Sequence, residues 1–302
     1  MRFGLCCLFK AEKIAFRTTT VKVLATLSRR QQLDKLSAIC LANAENLLAA
    51  VRAVDRLGIG AYRITSPLLP RMTHPEVGYT LDDLATAGDI SRLLAETKAF
   101  AAARRIRLSF HPDQFVVLSS PRPEVVANSI RELEYHGLLA EQVGAEVINL
   151  HGGGVYGDKD LALDNFAHAF AGLSERVARR LTVENDDVSY TVADLLPLCR
   201  RLGIPLVYDV HHHRCNRDGL SEEEATVRAA LTWQGRGQEQ YCHLSSPRAG
   251  WQSGDTKPHA DFIDPADFPA CWRGREMTVD IEAKAKELAV CQLIKDLRGE
   301  CP

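Results

Sequence analysis

The sequence of 302 residues has no run of eighteen apolar residues, which is about the length a helix needs to cross a bilayer. Its amino-terminal segment, MRFGLCCLFKAEK, becomes charged too early to contain the apolar region of a secretory signal. We therefore expect a soluble, cytoplasmic protein that has no membrane partner.

Regularly paired cysteines are also absent. The nine cysteines have no CxxC spacing, and apart from the adjacent Cys6 and Cys7 they are scattered along the chain. This distribution argues against a zinc ribbon and against a disulfide framework. We expect most of these thiols to be reduced and to pack as small apolar side chains.

The chain has little net charge. It contains 37 basic and 39 acidic residues, for a formal charge of −2, so no overall positive field indicates a nucleic-acid partner. Bound divalent cations would add positive charge that this count omits, so a DNA partner stays open. No GxxxxGK[ST] motif occurs, and we expect no nucleotide cofactor.

Short apolar, β-branched runs alternate with amphipathic segments along the whole chain. A helix closed by Gly58 is predicted after the first run, and another near residues 83–104. This alternation indicates a parallel sheet, and eight units favour a closed (β/α)8 TIM barrel formed by residues 1–302 as a single domain. The predicted strands are RFGLCCL, AYRIT, RLSF, EVINL, LTV, PLVY, YC and MTVDI.

Imidazole and carboxylate residues follow six of these runs, on average about 34 residues apart. All strands of such a barrel end on one rim, where residues distant in sequence converge. Any single histidine here is more often an ordinary core or rim residue, but burying so many ionisable groups without cations would be costly. The set predicts a polynuclear metal centre at the C-terminal rim, and its members are His111, His151, Glu184, Asp209, His243 and Glu282.

A series of short motifs covers the chain from about residue 14 to 290. In order, they are FRTTT, YRITS, MTHP, SFHPDQF, NLHGGG, VEND, DVHHH, HLSS, KPHADFI and DIEAKAKE. Together they resemble the ultraviolet damage endonucleases. The resemblance implies a TIM barrel related to endonuclease IV, whose metal cluster cuts DNA 5′ to a pyrimidine photoproduct by in-line attack of water. It also implies double-stranded DNA with UV lesions as the partner, and association with the nucleoid.

The resemblance implies a role for each matching residue. Glu184 would bridge two ions and His74 would lie near the reacting phosphate, so these two and Asp209 form the expected catalytic group. Oxygen and imidazole ligands suit Mn²⁺, with Zn²⁺ or Mg²⁺ as alternatives, and we expect two or three ions. Besides the shared Glu184, the expected ligands are His111 and His151 for one ion, Asp209, His243 and Glu282 for the second, and His212 and His259 for the third.

Two residues after the third strand are expected to contact DNA. In the family that the motifs resemble, a glutamine and an aromatic residue wedge into the duplex beside the lesion, and Gln114 and Phe115 occupy these positions. A photodimer already weakens stacking, so extruding damaged bases costs less than extruding sound ones.

The chain differs from this family pattern at three positions. Leu5 and Phe115 stand where relatives tend to have tyrosine, and Tyr241 replaces a lysine that is carboxylated in the family. Tyr241 shares the inward face of its strand with His243. Because a phenol stays neutral near pH 7, we predict that Tyr241 forms hydrogen bonds and does not bind metal, and that Asp280 supplies a compensating carboxylate.

Two other functions remain open. A metal-dependent sugar isomerase or epimerase of the same superfamily uses the same ligand types, and an abasic-site nuclease would need no photoproduct preference. We also expect a monomer, in which one or two of the consecutive histidines 211–213 face solvent. Basic residues just past strand ends favour a phosphate substrate, and they are Arg63, Arg71, Arg214, Arg248 and Lys257.

Overall fold

The computed structural model describes residues 1–299, so the last three residues of the predicted 1–302 domain lie outside the described part. Eight parallel strands form a closed barrel in chain order, which confirms the predicted (β/α)8 fold. The strands are β1 Arg2–Cys6, β2 Ala61–Ile64, β3 Arg107–Phe110, β4 Val147–His151, β5 Leu181–Glu184, β6 Leu206–Asp209, β7 Gln240–Leu244 and β8 Met277–Ile281.

Helices connect the strands and pack on the outside of the barrel. Local chemistry sets their ends: Ser28 and Gln31 form a capping box at the start of one helix, and Gly144, with a φ of 75°, ends another. The helices of the described part are α1 Val21–Ala25, α2 Arg29–Arg56, α3 Ala87–Arg104, α4 Pro123–Val143, α5 Lys159–Phe170, α6 Glu175–Ala178, α7 Val192–Leu202, α8 Val210–Cys215, α9 Glu222–Leu231 and α10 Glu287–Arg298.

The long helix α2 has the length and apolar composition of a membrane-spanning segment, although its sequence contains no unbroken run of eighteen apolar residues. Its residues Leu36, Leu47 and Val51 are fully buried in the core of the protein. The helix packs against α3, so its apolar face is used within the fold.

Strand register brings the candidate ligands together. His151 at the end of β4 pairs with Glu184 of β5, and Asp209 of β6 pairs with His243 of β7. Because all eight strands are parallel, their carboxyl ends form one rim, and alternate residues on each strand point into the barrel. The rim therefore places imidazole and carboxylate groups side by side.

Candidate metal centre

Glu184 is fully buried at the centre of the rim. Its Oε2 atom accepts a hydrogen bond from Asn149 Nδ2 and lies 3.1 Å from His111 Nε2. Its Oε1 atom lies 2.9 Å from His243 Nδ1 and 3.3 Å from His212 Nδ1. One carboxylate thus contacts groups from four other elements of the chain, the arrangement expected of a shared ligand.

Two of the histidines are oriented by backbone carbonyl groups. The Nδ1 atom of His111 lies 3.2 Å from the Pro112 carbonyl oxygen, and that of His212 lies 2.9 Å from the Asn185 carbonyl oxygen. An Nδ1–H group that donates to a carbonyl leaves Nε2 as the free nitrogen, which is how metal-binding histidines are commonly held.

Several buried atoms of the rim lack a partner within the protein. Asp209 Oδ1 accepts from the backbone nitrogen of His212 at 2.8 Å, but Asp209 Oδ2 and His151 Nδ1 have no hydrogen bond. Buried polar atoms without partners are costly, and a divalent cation would satisfy both. The donor set of oxygen and imidazole nitrogen therefore fits a metal such as Mn²⁺ or Zn²⁺.

The candidate ligands form two groups that share Glu184. Within each group, the ligand atoms lie within 4.8 Å of one another. Among the described residues, neither His212 nor His259 belongs to such a group, and neither does Glu282. The groups are His111, His151 and Glu184, and Glu184, Asp209 and His243.

Glu282 and His259 lie next to the second group. Glu282 Oε1 is 3.6 Å from His243 Nδ1, and Glu282 Oε2 is 3.7 Å from His259 Nδ1. Glu282 also accepts a hydrogen bond from Arg63 at 2.6 Å. The structure therefore places both residues at the rim, where Glu282 is already paired with the guanidinium group of Arg63.

The protonation equilibria favour the metal-binding forms of Glu184 and His111, whereas at His212 and His243 burial is outweighed by neighbouring carboxylates, Asp209 and Glu184, which raise the pKa of both imidazoles. Burial opposes ionisation of Glu184, but His243, His151 and hydrogen-bonding imidazoles outweigh burial and hold the pKa of this carboxyl well below its ordinary value. Burial lowers the pKa of His111, which favours the neutral imidazole. His111 Nε2 lies 3.1 Å from Glu184 Oε2, so the imidazole and the carboxylate are close enough to share a cation.

The prediction that some of the residues 211–213 face solvent is wrong. Helix α8 directs the three rings to different partners, because successive helical residues are about 100° apart. His213 lies 2.6 Å from the Tyr208 hydroxyl group, while His211 Nδ1 lies 3.2 Å from the Ser245 carbonyl oxygen. Both side chains are buried, and His212 is largely buried.

Sequence reasoning missed two residues of the centre. His211 Nε2 is buried without a hydrogen bond, and its ring lies 5.2 Å from the ring of His259. Asn149, which contacts Glu184, has the same inward parity on β4 as His151. Strand parity could have indicated Asn149, whereas the orientation of His211 depends on a distant carbonyl group.

An open groove of about 980 Å³ adjoins the first group of ligands, and its lining includes His111, His74 and Phe115. His74 Nδ1 accepts from the backbone nitrogens of Glu76 and Val77 at 3.2 and 3.4 Å. Phe115 is 76% exposed, and the neighbouring Gln114 is exposed as well. An exposed ring beside a groove is available to a ligand and is not part of the core.

Two of the five basic residues predicted past strand ends are not free to bind phosphate. Arg63 lies within β2 and is buried beside carboxylates, and Arg214 pairs with Glu222 at 2.8 Å. The sequence-based interpretation of these two is therefore corrected. The other three, Arg71, Arg248 and Lys257, are exposed, and Arg71 lines the groove.

The prediction that Tyr241 forms hydrogen bonds is confirmed, whereas the prediction that it does not bind metal stays a prediction. Its hydroxyl group donates to Asp280 Oδ1 at 3.1 Å and lies 3.2 Å from Ser109 Oγ. Burial raises the pKa of Tyr241 well above its ordinary value, so the phenol stays neutral. Leu5, which stands where relatives tend to have tyrosine, is fully buried in the hydrophobic core.

The glycines that follow His151 make room for side chains. A Cβ atom on Gly152 would lie 2.5 Å from the Tyr190 ring, and one on Gly153 would lie 2.3 Å from Ser119 Oγ. Residues 152–157, GGGVYG, also match the spacing GxGxxG of dinucleotide-binding loops. In this fold, the first two glycines are explained by close packing of the turn after β4.

Comparison with known proteins agrees with the fold and with the family that the motifs resemble. The family model described as UV-endonuclease UvdE matches residues 1–300. A UV DNA damage endonuclease from Bacillus velezensis is 35% identical, over 98% of this chain and 93% of that protein. The crystal structure of SacUVDE superimposes with a TM-score of 0.86 at 28% identity, covering 99% of both chains.

A more distant structural likeness concerns the fold alone. Endonuclease IV from Thermus thermophilus superimposes with a TM-score of 0.60 at 16% identity over the full length of both chains. The barrel is therefore of the endonuclease IV type, as predicted. From the family match over nearly its whole length and the ordered motifs along it, the chain belongs to the UV-endonuclease UvdE family.

Proposed function

We propose that this protein is a metal-dependent repair endonuclease that hydrolyses the DNA phosphodiester 5′ to UV photoproducts. The observation that carries the proposal is the position of Glu184, which belongs to two groups of candidate ligands beside an open groove. Family membership decides against the alternative of a sugar isomerase or epimerase.

The residues of the rim would hold two or three divalent ions, with Mn²⁺ as our proposed ion. Glu184 would bridge, His111 and His151 would serve one ion, and Asp209 with His243 another. When bound, such ions would polarise the phosphate, lower the pKa of the attacking water and stabilise the departing oxygen. We also propose Glu282, His212 and His259 as ligands of these ions.

The groove residues would bind and orient the substrate. Because His74 Nδ1 accepts from two backbone N–H groups, the neutral ring carries its proton on Nε2 and can donate it to a phosphate oxygen. Phe115 and Gln114 would insert beside the lesion, where a ring can replace lost base stacking. The chain would act as a monomer and a single domain, on DNA at the nucleoid.

The test is incision of end-labelled duplexes by the purified protein with Mn²⁺. We expect cleavage of an irradiated duplex on the 5′ side of dipyrimidine sites, loss of cleavage with chelator, and no cleavage of the intact duplex. A third duplex, with one abasic site, tests the alternative that the protein is an abasic-site nuclease. Equal cleavage of the irradiated and intact duplexes would contradict photoproduct recognition, and cleavage of only the abasic duplex would favour the alternative.

A further inference from the structure

A buried arginine contacts two of the candidate metal ligands at once. Arg63, on β2, is only 7% exposed. Its Nη1 atom donates to Glu282 Oε1 at 2.6 Å, and its Nη2 atom lies 2.8 Å from His243 Nε2. Because the guanidinium is planar, its nitrogens hold these two partners in a fixed relative position.

Asp280 holds the same guanidinium from the other side. Asp280 Oδ2 accepts from Arg63 Nε at 3.0 Å, and Asp280 Oδ1 accepts from the Tyr241 hydroxyl group at 3.1 Å. The carboxylate is fully buried, and it fits because residue 4 is glycine: a Cβ atom on Gly4 would lie 1.9 Å from Asp280 Oδ1. Residues from β1, β2, β7 and β8 thus fix one ion pair.

We propose that Arg63, anchored by Asp280, is a positioning residue that holds Glu282 and His243 in the geometry required to bind metal. This inference rests on the proposed function, since it concerns the same centre. Arg63 also supplies positive charge beside two carboxylates, the buried Asp280 and the largely buried Glu282. It acts through the ligands, because it is buried and is not among the residues that line the groove.

Removal of Arg63 should change metal affinity in opposite directions, depending on whether the arginine acts through its positive charge or by positioning the ligands. A guanidinium near a cation site repels the cation, so charge alone would make the Arg63→Met variant bind metal more tightly. Loss of positioning would instead leave the Glu282 carboxylate free to rotate and would weaken binding. Groups that orient metal ligands typically change metal affinity by about 10- to 100-fold.

The experiment is a Mn²⁺ titration of the full chain, with free Mn²⁺ followed by its electron paramagnetic resonance signal. We expect Arg63→Met to lower the affinity of at least one Mn²⁺ by about tenfold or more. Arg63→Lys should recover part of it, since the ammonium group can still donate to Glu282 but lacks the planar fork that also reaches His243. For irradiated duplex, kcat should fall and KM should stay unchanged, with recovery of kcat at high Mn²⁺.

A matched control is Arg107→Met. Arg107 is also a buried barrel arginine at the start of β3, where its guanidinium packs over the Tyr241 ring; its hydrogen bonds go to Glu146, Glu239 and Thr278, none of which is a candidate metal ligand. This variant should lower thermal stability without changing Mn²⁺ affinity. If Arg63→Met does not fold, Asp280→Asn provides the same test with nearly the same side-chain shape, and its Mn²⁺ affinity should fall.

Unchanged or tighter Mn²⁺ binding by a folded Arg63→Met or Asp280→Asn variant would overturn the inference. A wild-type protein that binds no divalent cation would contradict both proposals. A wild-type protein that binds Mn²⁺ but leaves irradiated DNA intact would contradict only the proposed function.

Discussion

At the scale of single residues, the site is defined by atoms that the protein itself does not satisfy. Asp209 Oδ2, His151 Nδ1 and His211 Nε2 are buried without hydrogen bonds. Such atoms are uncommon in folded proteins and point to a ligand. Glu184, by contrast, has an excess of partners, which is consistent with a bridging role.

Glu184→Ala is expected to abolish incision while leaving the protein folded, because both groups of candidate ligands lose a member. Glu184→Gln should be nearly as damaging, since the amide has no negative charge and only one acceptor oxygen. Incision of irradiated duplex measures the effect. Activity above about a tenth of wild type, a loss under ~1.4 kcal/mol, would show that the bridging role is wrong.

The control for this variant is Glu223→Ala. Glu223 is exposed on α9, so its removal should leave incision unchanged. Glu132 is unsuitable as a control, because it accepts a hydrogen bond from Thr73 and lines the groove.

His136 is expected to make the free energy of unfolding depend on pH. Burial lowers its pKa from 6.5 to about 4, although Nδ1–H donates to the Glu132 carbonyl oxygen at 2.7 Å. Between these values the unfolded chain binds a proton that the folded protein excludes, so stability falls as the pH is lowered from 6.5 toward 4. The difference corresponds to ~3 kcal/mol at full protonation of the unfolded chain.

Urea unfolding at several pH values between 7 and 4, for wild type and His136→Gln, measures this contribution. Glutamine can still donate to the Glu132 carbonyl oxygen but does not titrate, so the variant should lose less stability as the pH falls. Other titrating groups are common to both proteins and cancel in the comparison. Parallel pH dependences would show that His136 is not responsible.

At the scale of elements, the segments that follow β1, β2 and β3 at the C-terminal rim shape the groove together with α4, and the loop after β2 contributes His74 and Arg71. The loop between β3 and α4 turns at Asp113, whose Oδ1 atom accepts from the backbone nitrogen of Phe115 at 3.0 Å. This Asx-type turn presents the ring to solvent. The segment between β1 and α1 contributes Thr18 to the lining of the same groove.

Replacement of both Gln114 and Phe115 by alanine should weaken binding to irradiated duplex and leave metal content unchanged. A stacking ring contributes ~1 to 3 kcal/mol per base in single-strand binders, so a loss of this order is expected. Because Phe115 is 76% exposed, the melting temperature should not change. A binding titration beside a thermal melt checks both statements, and a fall in melting temperature without loss of binding would identify Phe115 as structural.

The segment after β1 is held by Glu287. This buried carboxylate, in α10, accepts from the backbone nitrogen of Lys10 at 2.8 Å and from that of Ala11 at 2.6 Å. Glu287→Ala leaves these N–H groups without their acceptor, and a loss of ~2 to 3 kcal/mol in unfolding free energy is expected. Urea unfolding measures it, with the exposed Glu45→Ala on α2 as the control; equal stability of the two variants would contradict this role.

At the scale of the whole molecule, the fold and the metal centre are supported by different parts of the barrel. The hydrophobic core extends between the strands and all the long helices, whereas the candidate ligands occupy only one rim. Within the rim, Arg63 already pairs with Glu282 and Asp280. The fold should therefore tolerate removal of metal better than the activity does.

Treatment with chelator is expected to abolish incision while the far-ultraviolet circular dichroism spectrum stays unchanged. The melting temperature should fall, because binding of metal to the folded state alone stabilises it by mass action. Addition of Mn²⁺ should restore both activity and melting temperature without added bicarbonate, since Tyr241 cannot be carboxylated as a lysine can. Loss of the spectrum on chelation would show that the metal is required for folding.

The sequence by itself determined the barrel, the eight strands and the rim position of the candidate ligands. These features depend on local pattern: apolar runs of strand length, helical periodicity between them, and polar residues such as His151 and Asp209 at the points where strands end. Strand parity was also sufficient to predict that Tyr241 and Asp280 both point into the barrel, where the structure joins them by a hydrogen bond.

Only the tertiary structure decided which partner each rim side chain contacts. Arg63 follows the pattern of a phosphate-binding residue, but the pairing of β1 with both β2 and β8 places Asp280 beside Gly4 and within reach of Arg63 across β1. His211 turns inward because Ser245 lies in the loop that follows the neighbouring strand β7. Such contacts join residues that are distant in sequence, and their geometry is set by strand register and packing, which local pattern does not encode.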